Sequence, residues 1–245
     1  MIFLLESGNS DLKIESFLWQ DLLNASGYNY NVLTSIDDIS KFLSDDKIIP
    51  LGTIPFTNAV LSAKYNIPSM HPVEIPPSLR IPQLLGRQYN IVTFQDIPHN
   101  GEYFIKDASE LKQFSCFGNY YDVADKCNPN HLFVVSEVLD IITEYRAYII
   151  NGEVYAVEYY NGDPCVLPDM NKITTANMLY GMAPDYPRSY TIDVAVTKNG
   201  TFVIEVHPVL FSVGIYTTVL SRSFLQGYVD SLDYILKHNT PVQIS

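Results

Sequence analysis

The chain has 245 residues, of which 47% are hydrophobic and 17% are charged; this composition is ordinary for a globular protein and excludes intrinsic disorder. The net charge of −12 argues against a nucleic acid or an anionic membrane as partner, because both would be repelled. No apolar run approaches the ~18 residues that span a bilayer. The three cysteines have no metal-type spacing, so we expect a reduced, cytoplasmic protein.

Residues 1–65 predict a small α/β unit. Short apolar runs that predict strands alternate with helix-like patterns, an order typical of parallel strands joined by helices. Residues 66–100 are rich in proline and lack a clear period, so we expect a connector with at most one short helix. The predicted strands are IFLL, YNVLT and KIIPLGT, and the predicted helices are Asp11–Ala25, Ile36–Ser44 and Phe56–Lys64.

From residue 102 onward the pattern changes to antiparallel strands. YFIKDA and HLFVVSEVL predict single strands, and Thr143–Tyr160 predicts a hairpin that turns at Asn151-Gly152. Ile173–Tyr180 and Ser221–Lys237 predict helices. The predicted fold class is therefore α+β, with an α/β unit followed by antiparallel sheets.

The segment Tyr190–Pro208 predicts a β-hairpin that places two carboxylates face to face. A three-residue loop at Lys198-Asn199-Gly200 sets Thr197 opposite Thr201 and Asp193 opposite Glu205. Two like charges in direct opposition cost up to ~1 kcal/mol, and a divalent cation between them reverses that sign. We therefore expect a metal site at these two acids. The alternative is a solvated hairpin face with two incidental acids.

The period of two also assigns the two faces of this hairpin. His207 would share a face with the two acids, but imidazole suits softer metals than Mg²⁺. Direct ligation, a supporting role beside the metal and a histidine that is simply hydrogen-bonded in the core all stay open. One face is predicted to carry Asp193, Ala195, Val203, Glu205 and His207, and the buried apolar face Ile192, Val194, Val196, Phe202, Ile204 and Val206.

Several basic and acidic residues upstream are candidates for binding a phosphate. Lys106 lies inside the apolar strand YFIKDA and needs a partner, which is either a nucleotide phosphate or water at a sheet edge. Lys112 could reach the same region from a loop. Glu144 and Arg146 share one strand face, as a functional pair or as an exposed pair of negligible worth. The sequence has no Walker loop, Gly-x-Gly-x-x-Gly or Gly-x-Ser-x-Gly motif.

The order FIKD, VVSEVL, TEYRAYIINGEV and TIDVAVTKNGTFVIEVHP resembles the ATP-grasp superfamily of carboxylate–amine ligases over about residues 100–210. The resemblance implies an ATP-grasp domain at 89–245, with two lobes hinged near 137–139, after a smaller α/β domain at 1–88. The pair FIKD and LKQF is similar to a clade in which the usual arginine is replaced by a lysine elsewhere. Lys112 is our candidate for that lysine.

The resemblance also implies roles for individual residues. Lys112 and Arg146 are the expected catalytic residues, and the expected cofactors are ATP and Mg²⁺, with Mn²⁺ as an alternative. By position, the phosphates are expected at Lys106, Lys112 and Arg146, adenine at the backbone of Glu137 and Val138, ribose at Glu144, and the metal at Asp193, Glu205 and His207, which replaces the usual asparagine.

The implied function is an ADP-forming carboxylate–amine ligase that works through an acyl phosphate on an amino acid, a peptide or a protein terminus. A nucleotide-binding module without turnover and a phosphotransferase with another acceptor are the alternatives. The expected partners are a carboxylate and an amine, with no nucleic acid and no membrane; the oligomeric state stays open. The substrate is expected between the connector and the C-terminal sheet, near Arg87, Arg188, Tyr155, Tyr159 and Tyr160.

Overall fold

A computed structural model describes residues 1–7, 13–70, 75–108, 114–183, 186–212 and 221–239. Within these ranges the strands form one parallel sheet and two antiparallel sheets, so the predicted α+β class is confirmed. We call them the N-terminal sheet (order β2-β1-β3), the central sheet (β4-β7-β5-β6) and the C-terminal sheet (β11-β10-β8-β9).

The N-terminal sheet is parallel, as predicted. Thr53 begins the helix that follows its third strand, because its hydroxyl accepts a hydrogen bond from the Phe56 amide, and Asn66 ends that helix in the left-handed region. The helix expected at Ile36–Ser44 is a 3₁₀ helix over Ile36–Phe42. The other elements are β1 Ile2–Glu6, α1 Lys13–Ser26, β2 Tyr30–Leu33, β3 Ile48–Leu51 and α2 Ile54–Tyr65.

The expectation of a connector with at most one short helix at residues 66–100 was wrong. The segment contains α3, Pro82–Leu85, and β4, Tyr89–Thr93, which pairs with β7 at the edge of the central sheet. Its prolines open short helical turns, where the missing amide costs nothing. Its apolar side chains are buried against the C-terminal sheet: Ile75, Leu79, Leu84 and Leu85.

The central sheet contains a second strand that the sequence did not predict, β6 at Ser115–Gly118. The hairpin at Asn151-Gly152 is confirmed, because both residues have positive φ, 53° and 83°. The remaining elements are β5 Tyr103–Asp107, α4 Tyr120–Val123, β7 Leu132–Glu137, β8 Thr143–Ile150, β9 Glu153–Gly162, α5 Met170–Gly181, β10 Tyr190–Thr197, β11 Gly200–Pro208 and α6 Arg222–Asn239.

The C-terminal sheet is covered on both faces. On one face Tyr145, Ala147 and Ile149 of β8 pack with α5. On the other face Tyr148 packs with Phe224 of α6 and with the N-terminal sheet. At the other end of β8, Glu144 lines a cleft between this sheet and the central sheet. None of the helices within the described residues is long and apolar enough to cross a membrane.

The β10–β11 hairpin confirms the central prediction, since Asp193 lies opposite Glu205. The predicted loop was wrong: the turn has two residues, and Thr197 lies opposite Gly200 instead of Thr201. A β-bulge beside Asp193 makes up the difference of one residue.

The bulge also changes the predicted faces of β11. Val203 lies opposite Val194 and packs in the apolar core, whereas Phe202 lies opposite Ala195 on the face of the acids. Ile204 is the extra residue and lines the cleft. The predicted faces of these three β11 residues were therefore wrong, because a strict period of two cannot represent a bulge.

Candidate functional site

A cleft of about 320 Å³ lies between the central and the C-terminal sheets. Both sheets and the segment that joins them contribute to its walls, which combine apolar side chains with a few charged ones, as ligand sites commonly do. The residues that line it are Ile75, Arg87, Tyr89, Phe104, Lys106, Phe117, Val134, Ser136, Glu137, Leu139, Ile141, Glu144, Tyr160, Ile204, Glu205 and Val206.

Arg146 and Asp193 form a buried ion pair beside the cleft. They are direct cross-strand neighbours on β8 and β10. The Arg146 Nε donates to Asp193 Oδ1 at 2.8 Å, and Nη2 donates to Oδ2 at 2.7 Å. Arg146 also lies 5.8 Å from the centroid of the Tyr160 ring, within range of a cation–π contact. Asp193 therefore holds the Arg146 guanidinium in place through a bidentate hydrogen-bonded contact.

Glu205, the second of the two predicted acids, contacts a side chain from the opposite sheet. Lys106 of β5 reaches across the cleft, with its Nζ 3.1 Å from Glu205 Oε1. The His207 Nε2 lies 3.0 Å from the other carboxylate oxygen. The Glu205 side chain is 30% exposed, compared with 3% for Asp193, so Glu205 is the acid that a ligand can reach.

His207 is buried on the same strand face as Glu205. Its Nδ1 has no hydrogen-bond partner among the described residues. Its Nε2 contacts the Glu205 carboxylate, and the role of His207 toward a metal ion stays a prediction.

Glu144 is held in the cleft wall by two donors. The Tyr160 hydroxyl donates to Oε2 at 2.7 Å, and the Asn161 amide donates to Oε1 at 2.8 Å. Burial raises the pKa of Tyr160, and the charge of Asp193 and the hydrogen bond to Glu144 raise it further. Tyr160 therefore stays a neutral donor, and Glu144 keeps lone pairs that could accept from a ligand.

The predicted hinge lies where the chain passes from the central to the C-terminal sheet. Glu137 ends β7 and lines the cleft; its carboxylate accepts from the Gln88 amide at 2.8 Å, and its own amide donates to the Gln88 carbonyl. Val138 is 42% exposed, and its side chain does not line the cleft. The hinge motion and the boundary near residue 88 stay predictions.

The structure thus brings together most of the predicted site residues. Lys112 lies outside the described residues, so its role stays a prediction. The residues in or beside the cleft are Lys106, Glu137, Glu144, Arg146, Asp193, Glu205 and His207.

Arg87 is a cleft residue that the sequence placed only in the general substrate region. One of its terminal nitrogens, Nη1, donates to the Leu85 and Val203 carbonyls, each at 2.9 Å. Burial lowers the pKa of Arg87 to about 10. No motif marks this arginine, because its position depends on a strand, β4, that the sequence did not predict.

Asp193 and Glu205 offer carboxylate oxygens as possible ligands for a metal ion. The described residues contain no group of three or more His, Cys, Asp and Glu side chains that could hold a metal ion. Two hard carboxylates fit Mg²⁺ if phosphate oxygens and water complete its coordination. Their oxygens now contact Arg146, Lys106 and His207, so a metal ion would have to share or replace these partners.

Comparisons with known proteins were made for the sequence and for the fold. The profile of the family described as ATP-grasp domain, R-to-K clade family 2, matches residues 84–224, more than half of the chain. No curated protein sequence matches significantly.

Solved structures similar to this chain share its fold at low sequence identity. D-cycloserine synthetase DcsG has a TM-score of 0.60 at 9% identity, covering 96% of this chain and 100% of its own. D-alanyl-alanine synthetase A from Vibrio cholerae has 0.56 at 15%, covering 95% and 98%. The ATP complex of D-alanine–D-alanine ligase from Bacillus anthracis has 0.55 at 13%, covering 96% and 95%.

Proposed function

Because the chain belongs to the ATP-grasp domain family, R-to-K clade family 2, we propose that it is an ATP-dependent, ADP-forming carboxylate–amine ligase. Two structures of similar fold are named for joining alanine units. Their names support an amino acid, a peptide or a protein terminus as substrate. The free cysteines Cys116, Cys127 and Cys165 support the further proposal of a reducing, cytoplasmic location.

The observation that carries the proposal is the cluster of two acids and two bases at one end of the cleft. Asp193 and Glu205 lie opposite each other, and each is in contact with a cation, Arg146 or Lys106. Phosphoryl transfer from ATP requires this combination, since charge has to be neutralised along the triphosphate while the reacting groups are held in line. In our proposal Lys106 and Arg146 bind phosphate oxygens, and Lys112 adds a third cation.

The two acids would hold Mg²⁺, with Mn²⁺ as the alternative. When bound, the metal ion would offset the negative charge of the triphosphate. Glu205 would be the more readily available ligand because it is the more exposed of the two acids. We propose that His207 orients Glu205, and direct ligation by His207 is the alternative.

The other end of the cleft would hold the nucleoside. The backbone of Glu137 and Val138 lies between the two sheets, where it would bind adenine, with apolar contacts from Phe104 and Ile204. Glu144 would accept hydrogen bonds from the ribose hydroxyls, since Tyr160 and Asn161 already hold its carboxylate in place.

The reaction that fits this arrangement has two steps. The substrate carboxylate first attacks the γ-phosphorus of ATP, which releases ADP and gives an acyl phosphate. The amine then attacks the acyl carbon, loses a proton and displaces phosphate. Closure of the two sheets on the cleft would keep water from the acyl phosphate.

A second candidate is a nucleotide-binding module without turnover. The observation that favours it is that the carboxylates of Asp193 and Glu205 already contact Arg146, Lys106 and His207. Such a protein would bind a nucleotide but would lack free carboxylates for a metal ion.

Product analysis separates the candidates. The protein is incubated with Mg²⁺, ATP and mixtures of amines with carboxylates labelled with heavy oxygen. A ligase releases ADP only when a carboxylate and an amine are both present. It also transfers one labelled oxygen from the carboxylate to the released phosphate. A phosphotransferase forms ADP and a stable phosphorylated product. A binding module gives a nucleotide complex without ADP, and that result would overturn the ligase proposal.

A further inference from the structure

We propose that Arg87, together with Arg80 and Tyr89, forms an oxyanion-binding site at the cleft wall beside Glu137. The identity of the ligand rests on the proposed function, since an oxyanion here comes either from the nucleotide or from an anionic co-substrate. The site itself rests on the contacts described below.

Arg87 has donors to spare at the cleft wall. A guanidinium carries five N–H groups. The two carbonyls of Leu85 and Val203 are bound by the Nη1 nitrogen alone. Among the residues that the structure describes, no other hydrogen bond and no carboxylate partner of Arg87 is found. Three N–H groups therefore remain available to a ligand.

A second arginine adds positive charge at the same place. The Cζ atoms of Arg80 and Arg87 lie 5.5 and 6.0 Å from the centroid of the Tyr89 ring. Arg80 donates from Nε to the Ile75 carbonyl, and within the described ranges it forms no ion pair either. The protein has 27 acidic and 15 basic residues. Two half-buried arginines that have no acidic partner among the described residues are therefore unexpected unless a ligand supplies the negative charge.

The three acids that line the cleft among the described residues already have hydrogen-bond partners. The Glu137 carboxylate accepts from the Gln88 amide. Glu144 accepts from Tyr160 and Asn161, and Glu205 is in contact with Lys106. Burial without a carboxylate disfavours the charged guanidinium, and it lowers the pKa of Arg87 to about 10. Arg87 is still a cation at neutral pH, and a bound oxyanion would offset the cost of burying it.

The backbone is shaped to bring Arg87 to this position. Gly86 ends α3 with φ +61°, and a Cβ at this residue would lie 2.3 Å from the Phe202 ring. Only glycine allows this close approach between α3 and β11 without strain. The approach brings Arg87 within hydrogen-bond distance of the Val203 carbonyl. The guanidinium is thus held in place before a ligand arrives, as expected of a binding residue.

Arginine offers a planar set of donors that matches phosphate and carboxylate oxygens. The experiment measures dissociation constants by calorimetry for inorganic phosphate, acetate, ADP and adenosine. The variants are Arg87→Gln, which removes the charge, and Arg87→Lys, which keeps it. Arg222→Gln is the matched control, because Arg222 is exposed on α6 beside the Tyr28 ring and does not line the cleft. Urea unfolding confirms that each variant is folded.

The expected result is that Arg87→Gln weakens phosphate binding about tenfold or more, since a charge-assisted hydrogen bond is lost. Arg87→Lys should restore part of the affinity, and Arg222→Gln should bind as the wild type does. If Arg87→Gln weakens the binding of ADP but not of adenosine, the oxyanion comes from the nucleotide. If it weakens the binding of acetate and phosphate but not of ADP, the oxyanion comes from a co-substrate. Both results support the site.

Two results would overturn it. One is that Arg87→Gln binds all four probes as tightly as the wild type does. The other is that it loses the same affinity for ADP as for adenosine, which would indicate a contact to the nucleoside. The phosphate measurement needs no nucleotide. A wild-type protein that binds phosphate but neither ADP nor ATP would therefore contradict the proposed function and leave the site in place.

Discussion

Arg146 donates two hydrogen bonds to the Asp193 carboxylate, of 2.8 and 2.7 Å, across neighbouring strands of the C-terminal sheet. Both side chains are almost completely buried, at 9% and 3% exposure. A buried charge is tolerated only when it is paired, so each residue stabilises the other in the ligand-free protein. The same pair lies next to Glu205, which means that binding a metal ion and a phosphate would redistribute its contacts.

Removing one member of this ion pair should destabilise the protein, whereas replacing both members with apolar residues should not. Arg146→Met leaves Asp193 buried and unpaired and should lower the free energy of unfolding by ~3–5 kcal/mol. The double variant Arg146→Met with Asp193→Leu should regain most of that loss while remaining inactive. Urea unfolding followed by circular dichroism measures both. A single variant within ~1 kcal/mol of the wild type would show that the pair is not needed.

Glu205 should matter for activity more than for stability. Its carboxylate is partly exposed, and its contacts with Lys106 and His207 can rearrange. Glu205→Gln should reduce Mg²⁺-dependent ADP formation by ~10²-fold or more, because one electrostatic stabiliser is lost. Glu153→Gln on the exposed turn of β9 is the control and should be fully active. Near-normal ADP formation by Glu205→Gln would remove this acid from the site.

Gly86 should tolerate a side chain less well than another glycine with the same backbone angle. Gly86 and Gly27 have φ of +61° and +72°, but only Gly86 has the Phe202 ring in the position of a Cβ. Gly27→Ala should cost ~1 kcal/mol from backbone strain, and Gly86→Ala ~1–3 kcal/mol more from overpacking. Urea midpoints test this. If the two variants lose equal stability, the contact between α3 and β11 is loose.

Tyr160 should make the protein sensitive to alkaline pH. Its pKa is raised in the folded protein, mainly by burial. Stability from this phenol is therefore fully present below about pH 10, where the unfolded chain begins to ionise, and is lost as the pH rises further. Above that pH the wild type should lose ~1.4 kcal/mol per pH unit more than Tyr160→Phe. Equal slopes in urea unfolding from about pH 9 to about pH 11 would contradict a buried, neutral phenol.

The sequence predicted the elements whose pattern is local. Asn151-Gly152 specified its hairpin, because few other residues adopt positive φ at two successive positions. The opposition of Asp193 and Glu205 was also correct, although by a different route. The turn is one residue shorter than predicted, which shifts the pairing of β10 with β11 by one residue. The bulge at Ile204 shifts the pairing back before it reaches Asp193. Neither change has a signal in the sequence.

The features that the sequence did not predict depend on distant contacts. β4 follows a proline-rich segment and becomes a strand through its pairing with β7, more than forty residues later. Arg87 joins the cleft for the same reason, since its partner carbonyl belongs to Val203. The pairing of Arg146 with Asp193 needed the order of β8 and β10, which the sequence does not state.

The decisive measurement is a crystal structure of the protein with Mg²⁺ and a non-hydrolysable ATP analogue. We expect adenine beside the backbone of Glu137, phosphate oxygens within hydrogen-bond distance of Lys106, and a metal ion bound by Glu205 and Asp193. Density for the nucleotide outside the cleft, or Asp193 and Glu205 still bound only to Arg146 and Lys106, would contradict it.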